Sequence, residues 1–257
     1  GNIPYVVSAF LTDMGISIGQ YKIDEKTNEI KGIPELLDLI DIKDVTITID
    51  AIGTQKAIVN KIIKKSGHYC LSVKKNQKLL YDDIDTYFKD AIYDLDKLKK
   101  MNYYETIEKG HGRIETRKYY TINDISFIYD RNHWSGLKSV GMVIQERIIG
   151  EKTSKEVQYH ILDQNLTAKE YARLTRSHWK IENNLHWILD VIFNEDHSLA
   201  KKYNAIHNLT LLRKIVFNLT KLDPTMEKKT TKKKIIDYTF DFSCFEKLIY
   251  EIIPTKL

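Results

Sequence analysis

The chain reads as an α/β fold, a mixed sheet flanked by helices with a mainly β stretch inserted before the last long helix. Three observations carry that reading. Residues 45–50, Val-Thr-Ile-Thr-Ile-Asp, alternate apolar and polar as a half-buried strand does. A helical pattern over 54–65, the Ser66-Gly67 stop and a second strand at 68–73 complete a βαβ unit, whose strands should be parallel and whose crossover should be right-handed. Far downstream, 176–196 carries a helical apolar stripe: at about 100° per residue, Leu185, Ile188 and Ile192 fall within about 40° of Ile181.

Taken in order, β formers at 5–11 and 16–23 flank Thr12-Asp13-Met14-Gly15, a hairpin signal. Pro34 opens a short helix at 34–40. A helix is expected at 77–90 and a charged connection at 91–101. The β-rich part begins at 102, where Tyr103–Glu108 and Arg113–Ile122 bracket Gly110-His111-Gly112. Further strands are predicted at 125–129, 139–149 and 156–162. A long helix follows over 167–193, then one over 204–221 with Leu209, Leu212, Ile215, Val216 and Leu219 as its apolar set. The lysine-rich 227–234 reads as a solvated linker and 241–252 as a terminal helix. The expected division is 1–101 and 163–222 as two parts of one core, 102–162 as the insertion, and 223–257 as linker and final helix.

Composition sets the limits. The 257 residues suffice for one large or two small domains, and 42% hydrophobic content supports a core. A net charge of +5 and a pI near 8.8 permit nucleic-acid binding without demanding it, since 35 acidic residues offset most of the 40 basic ones. Cys70 and Cys244 allow no disulfide framework, which fits a reducing, cytoplasmic setting. No apolar run approaches a membrane span. The chain starts at Gly1 directly ahead of a strand and reads as a fragment or a processed form.

Two acids stand out. Asp50 ends a buried strand, where open α/β sheets place their sites. Glu182 lies at the rim of the apolar stripe, where a carboxylate is costly to desolvate without a cation. A strand-end acid and a helical acid sharing a divalent cation suit phosphodiester chemistry. The bland alternatives are a turn-forming or capping Asp50, and a Glu182 paired with Lys180 or Arg176 on a solvated face. His178 and His186 flank Glu182 at four residues on either side, but the spacing is not His-Glu-x-x-His and argues against zinc. Glu195 and Asp196 are rivals for the last acid. Lys74 can hold a phosphate and Asn76 and Gln77 can bond DNA, against an ordinary polar loop. Arg176 and His178 are further candidates for DNA contact. Trp134, Trp179 and Trp187 are read as core.

Thr48-Ile49-Asp50-Ala51-Ile52-Gly53-Thr54-Gln55, Lys74-Lys75-Asn76-Gln77, His111-Gly112-Arg113-Ile114-Glu115 and the 176–196 helix, in this order, closely resemble the DDE transposases of the ISAs type, which include the H-repeat-associated proteins. The resemblance runs from Val7-Ser8-Ala9-Phe10 to about Leu219. It implies a ribonuclease H-like core and metal-dependent DNA strand cleavage and strand transfer. The second Asp of the triad maps to Asp50 and the Glu to Glu182, and His111 and Arg113 at a hairpin tip become DNA contacts. It implies two Mg²⁺ ions in the intact enzyme, with Mn²⁺ as a substitute, and double-stranded DNA partners: the element's terminal inverted repeats and the target. A homodimer on paired ends and nucleoid association of a bacterial cytoplasmic protein follow from the same resemblance. The family's first Asp sits in an Asp-Gly-Lys segment upstream of the Val-Ser-Ala-Phe strand, so this chain is expected to lack it; Asp13 and Asp24 lie outside any such motif. Residues 159–164, Tyr-His-Ile-Leu-Asp-Gln, depart from the family pattern. The rival readings are an inactive DNA-binding remnant and a metal-dependent nuclease that cuts without joining.

Overall fold

The computed structural model describes residues 5–23, 29–91, 93–110, 112–198, 203–226 and 228–252. Asp24 and His111 lie outside these, as does the side chain of Asp196. In chain order the elements are β1 (Tyr5–Leu11), β2 (Ile16–Ile23), α1 (Glu29–Leu39), β3 (Thr46–Ile49), α2 (Lys56–Lys64), β4 (His68–Val73), α3 (Lys78–Ala91) and α4 (Leu95–Lys99). Then come β5 (Asn102–Gly110), β6 (Arg113–Ile122), β7 (Ser139–Ile149), β8 (Lys152–Leu162), α5 (Ala168–His178), α6 (Tyr203–Leu222), α7 (Thr231–Phe240) and α8 (Phe242–Lys247). The chain divides into two units, one spanning Glu29–His178 and the other comprising the segment to residue 28 and Trp179–Leu257.

The first unit is built on a six-stranded mixed sheet in the order β3-β4-β8-β7-β6-β5. β3 and β4 are parallel, with Thr48 beside Cys70, as a βαβ crossover requires. β8 runs antiparallel to β4, and β5 to β8 are antiparallel to one another, so residues 102–162 extend the same sheet. On one face Ile58, Ile62, Leu80, Ile84 and Phe88 of α2 and α3 are buried, and the Phe88 ring stacks on Tyr159. The other face is covered by α5, whose Ala168, Tyr171 and Ala172 pack with Cys70, Tyr119, Val143 and Leu162.

Tyr171 owes its seat to Gly141. A Cβ at that position would lie 2.4 Å from Tyr171 Cζ, so only the bare backbone lets the tip of the ring come this close to β7. The departure at 159–164 has its own structural use. Asp163 is buried and accepts the Tyr69 N–H at 2.7 Å and His68 Nδ1 at 2.7 Å, pinning the start of β4 to the end of β8.

Several expectations are corrected. The predicted strand at 125–129 is absent. Asp side chains take its backbone donors instead, Ser126 N to Asp124 at 3.0 Å and Tyr129 N to Asp83 at 2.8 Å, which frees Ile128 to be buried without a ladder. α1 begins at Glu29, so Pro34 lies within it rather than at its start. Trp134 is buried, but Trp179 and Trp187 are 52% and 53% exposed. The predicted helix over 167–193 is α5 followed by two wider-wound stretches, Ile181–His186 and Ile188–Ile192, with bonds from residue i+5 such as Trp187 N to Glu182 O and Phe193 N to Ile188 O.

In the second unit β1 and β2 form the expected antiparallel hairpin. Leu185, Ile188, Leu189 and Phe217 make its core, with Phe10 packed against them. α6 does not bury the face its apolar residues mark. Leu209, Leu212 and Ile215 are exposed, whereas Thr210, Lys214 and Thr220 are buried. The hairpin is the cause, because it presents polar groups. Lys214 Nζ donates to Ser8 Oγ and to Gln20 Oε1 (2.9 Å), and Asn218 both accepts from Ser17 N (2.9 Å) and donates to Ser17 O (2.7 Å). The lysine-rich tail is likewise partly structural. Lys234 on α7 is buried and donates to Thr220 O in the last turn of α6 (2.8 Å) and to Asp223 O just past its end (3.1 Å), an arrangement suited to the negative end of a helix.

Two outcomes follow. Gly141→Ala should destabilise the chain by about 1–3 kcal/mol through the clash with Tyr171, while Gly110→Ala, whose Cβ meets nothing within 4 Å, should have little effect; denaturant unfolding compares them. Burial lowers Lys214 to about 8. A folded value below the unfolded one of about 10.4 means that the unfolded chain binds more protons between the two. The stability of the wild type relative to Lys214→Met should therefore rise with pH across that window, as unfolding at pH 7.5 and 10 would register.

Candidate active site

Asp50 directly follows β3, its backbone still extended at φ −62° and ψ 164°. It precedes a single 3₁₀ turn, Ala51–Gly53, but its side chain makes no capping bond there. The carboxylate is instead 74% exposed and accepts from His178 Nε2 at 3.1 Å. Strand alternation puts Thr48 and Asp50 on the α5 face of the sheet. His178, the last residue of α5, spans the two, with Nδ1 3.1 Å from Thr48 Oγ1. An ionised carboxylate can only accept, so Nε2 carries the proton toward Asp50; in the neutral ring Nδ1 then accepts from the Thr48 hydroxyl.

The electrostatics favour the ionised acid. The hydrogen bond from His178 holds Asp50 below the usual carboxylate range, against the opposing effect of desolvation, and the charges of His178 and Lys74 act in the same direction as the bond. Behind them His160 on β8 is buried and pushed down to about 3 by desolvation, and its Nδ1 lies 2.7 Å from the Tyr171 hydroxyl. Burial drives Tyr171 well above its ordinary value, so the hydroxyl keeps its proton and donates to a neutral His160.

The loop after Asp50 is tightly held. A Cβ on Gly53 would fall 2.4 Å from Ile49 Cγ2 and 2.9 Å from Ile33 Cδ1, so this turn admits only glycine at its present closeness to β3 and α1. Thr54 is fully buried and donates to Ser72 O of β4. Asn76 Nδ2 donates to Ala51 O at 2.7 Å, and Gln77 Nε2 to Thr54 O at 2.9 Å and Gln55 Oε1 at 3.2 Å.

The remaining sequence candidates are distributed as follows. Glu182 belongs to the second unit, where its half-exposed carboxylate lies 3.2 Å from His186 Nδ1. Glu195, its rival, accepts from Thr210 Oγ1 at 2.7 Å and lies 3.5 Å from Arg213. Arg176 pairs with Glu108 at 2.6 Å. Arg113 is 47% exposed and lies 3.4 Å from Glu115, which is itself buried and also holds Arg117 and Arg147. Among the described residues no three His, Cys, Asp or Glu side chains converge as a metal-binding group, and no helix is long and apolar enough to cross a membrane. Sequence reasoning missed Thr48, His160, Tyr171 and Glu115. Only Thr48 carried a usable signal, its place two residues before Asp50 on an alternating strand.

Replacing His178 by Phe should raise the Asp50 titration midpoint toward the ordinary carboxylate value, because it removes the largest lowering contribution. Since Asp50 is depressed in the folded state, its contribution to stability is full above the unfolded value of about 3.9 and is lost as pH falls through the folded one. Carboxyl ¹³C NMR titration of both proteins tests the direction; an unmoved midpoint would refute it.

Comparison with known proteins places these features in a family. The family described as "Transposase DDE domain" matches residues 5–219. "Putative transposase YncI" of Escherichia coli O157:H7 is 39% identical over 84% of this chain and 55% of its own length. "H repeat-associated putative transposase YhhI" and "Putative protein YbfL", both of Escherichia coli strain K12, are each 37% identical over 89% of this chain and 61% of their own lengths. The chain thus spans rather more than half the length of these curated relatives. The match over residues 5–219 makes the chain a member of the transposase DDE domain family, in the company of the H repeat-associated proteins.

Proposed function

We propose that this chain is the catalytic domain of an insertion-sequence transposase that cleaves double-stranded DNA at an element's terminal inverted repeats and joins the ends to target DNA. The observation that carries the proposal is Asp50: an ionised, solvent-open carboxylate at a strand end, inside a segment matched by a DDE family. Membership of that family implies divalent-metal dependence in general. The donor set fits such an ion, since a hard divalent cation takes carboxylate oxygens and the Asp50 carboxylate is 74% exposed, with Oδ1 3.1 Å from His178 Nε2.

Asp50 and Glu182 would hold Mg²⁺, with Mn²⁺ as a substitute and two ions in the intact site. Bound there, the metal would supply activation of the attacking oxygen and charge stabilisation at the phosphodiester. The chain's own residues do the rest. His178 orients the Asp50 carboxylate, and with both ring nitrogens engaged by Asp50 and Thr48 it contacts a DNA phosphate by exchanging one of those bonds. Lys74, Arg113 and Arg176 are cations that suit contacts to the DNA backbone, and the sequence candidate His111 belongs to the same proposal. A homodimer on paired ends and a nucleoid-associated cytoplasmic location belong to the same proposal.

Strand cleavage and joining on labelled element-end DNA with Mn²⁺ test it. Asp50→Ala and Glu182→Ala should each lower the rate at least about a thousandfold, equivalent to about 4 kcal/mol of barrier, with circular dichroism unchanged. Full activity in either variant would remove that residue from the site. Cutting without joining would favour a nuclease, and DNA binding with neither would favour a remnant.

A further inference from the structure

The geometry points to Asn76 and Gln77 as positioning residues that hold the Asp50 carboxylate in place from the neighbouring strand, an inference that rests on Asp50 being a metal ligand. The backbone of 50–54 leaves β3 and therefore loses its ladder partners. Each of its carbonyls nevertheless has a donor. Asp50 O accepts from Gly53 N (2.9 Å), Ala51 O from Thr54 N (3.2 Å) and Asn76 Nδ2 (2.7 Å), and Ile52 O from Gln55 Nε2 (3.1 Å). Gly53 O accepts from Gln55 N (2.9 Å) and Thr54 O from Gln77 Nε2 (2.9 Å).

Most of these donors lie within the loop and move with it. Asn76 and Gln77 do not: they sit in the 3₁₀ turn Lys75–Gln77 that joins β4 to α3. α3 buries Leu80, Ile84 and Phe88, so this turn is anchored to the core. The two amides therefore brace the loop at its start and its end against a separate, rigid element. Ala51 O, the first point of support, is one residue from Asp50. A carboxylate that must meet a metal within tenths of an ångström needs such outer support. The brace also explains why two uncharged amides stand beside Lys74 and Lys75. An amide can donate to a carbonyl at a fixed short reach, whereas the long lysines reach outward to solvent or phosphate.

Asn76→Leu and Gln77→Met remove the donors at nearly constant shape and add no charge. In the double variant, amide hydrogen exchange over 51–55 should quicken by about tenfold or more, with α2 and β4 still protected. Mn²⁺ affinity measured by calorimetry should fall by about tenfold. Gln77→Met alone, a milder change, keeps the test open if the double variant folds poorly. Unchanged exchange over 51–55, or faster exchange spread evenly through α2 and β4, overturns the inference. So does weakened DNA binding with an unloosened loop, which would make the two amides DNA contacts. Mn²⁺ binding lost in Asp50→Ala but retained in the double variant also overturns it and leaves Asp50 as a ligand. Mn²⁺ binding retained in Asp50→Ala instead overturns the metal reading, while exchange still decides the brace.

Discussion

The contact between Tyr171 and the bare backbone of Gly141 governs the geometry of the Glu29–His178 unit. With no side chain at 141, the ring settles against β7 and its hydroxyl reaches His160. Full burial of an aromatic ring is worth several times a surface contact, so this anchor fixes both the height and the rotation of α5. About two helical turns later the same helix delivers His178 to Thr48 and Asp50. Hence a packing decision in the middle of the sheet determines where a polar ring meets the carboxylate at its edge. Side chains at 171 and 178 lie on one side of an α-helix, which is why one anchor suffices.

Two buried acids of this unit, Glu115 and Asp163, tie strands together. Glu115 is almost fully buried and lies opposite Arg147 on β7, with Arg117 and Arg113 beside it on β6. One carboxylate facing three guanidinium groups is well compensated for its desolvation, and losing it would leave cations crowded on one sheet face. The pairing turns the Arg113 guanidinium back along β6, so its orientation is set by the sheet although it borders the β5–β6 turn. Asp163 does the equivalent at the other end of β8, with neutral and ring donors in place of arginines.

Much of this could be read from the residues alone, for identifiable reasons. Strand alternation placed Asp50 and Thr48 on one face because period two is unambiguous when one set is Val, Ile, Ile and the other Thr, Thr, Asp. The parallel β3–β4 pair and the β5–β6 hairpin were legible through the crossover and the glycine turn. What failed did so where side chains, not periodicity, satisfy the backbone. The stretch 125–129 has strand-like composition, yet Asp124 and Asp83 take its donors. α6 carries an apolar stripe, but the hairpin beside it offers Ser8, Ser17 and Gln20, so the polar face turns inward. Asn76 and Gln77 illustrate the limit most directly. Their types fit DNA or protein carbonyls equally well, and only the closeness of the Ala51–Gln55 turn to the β4–α3 turn favours the latter.

For the proposed metal site, the choice between Glu182 and Glu195 as the final acid turns on what each would give up to bind a cation. Glu195 sits in a short turn and joins Thr210 and Arg213 to itself, with under a quarter of its side chain exposed. Moving it onto a metal would strand a partly buried guanidinium, a cost of the kind that makes broken buried pairs destabilising. Among the described residues Glu182 has His186 to release, at a half-exposed site where such a pair contributes little. Its backbone also differs: the turn it begins closes through a residue i+5 bond, a winding that is poorer in hydrogen-bond geometry than the α-helix and recurs at functional sites. The core residues Leu185, Ile188 and Leu189 hold that winding in place by burying themselves around Phe217. The stripe first visible in the sequence thus serves the acid at its rim, since it is the burial of the stripe that keeps an unfavourable helical turn, and with it the exposed carboxylate, where it is.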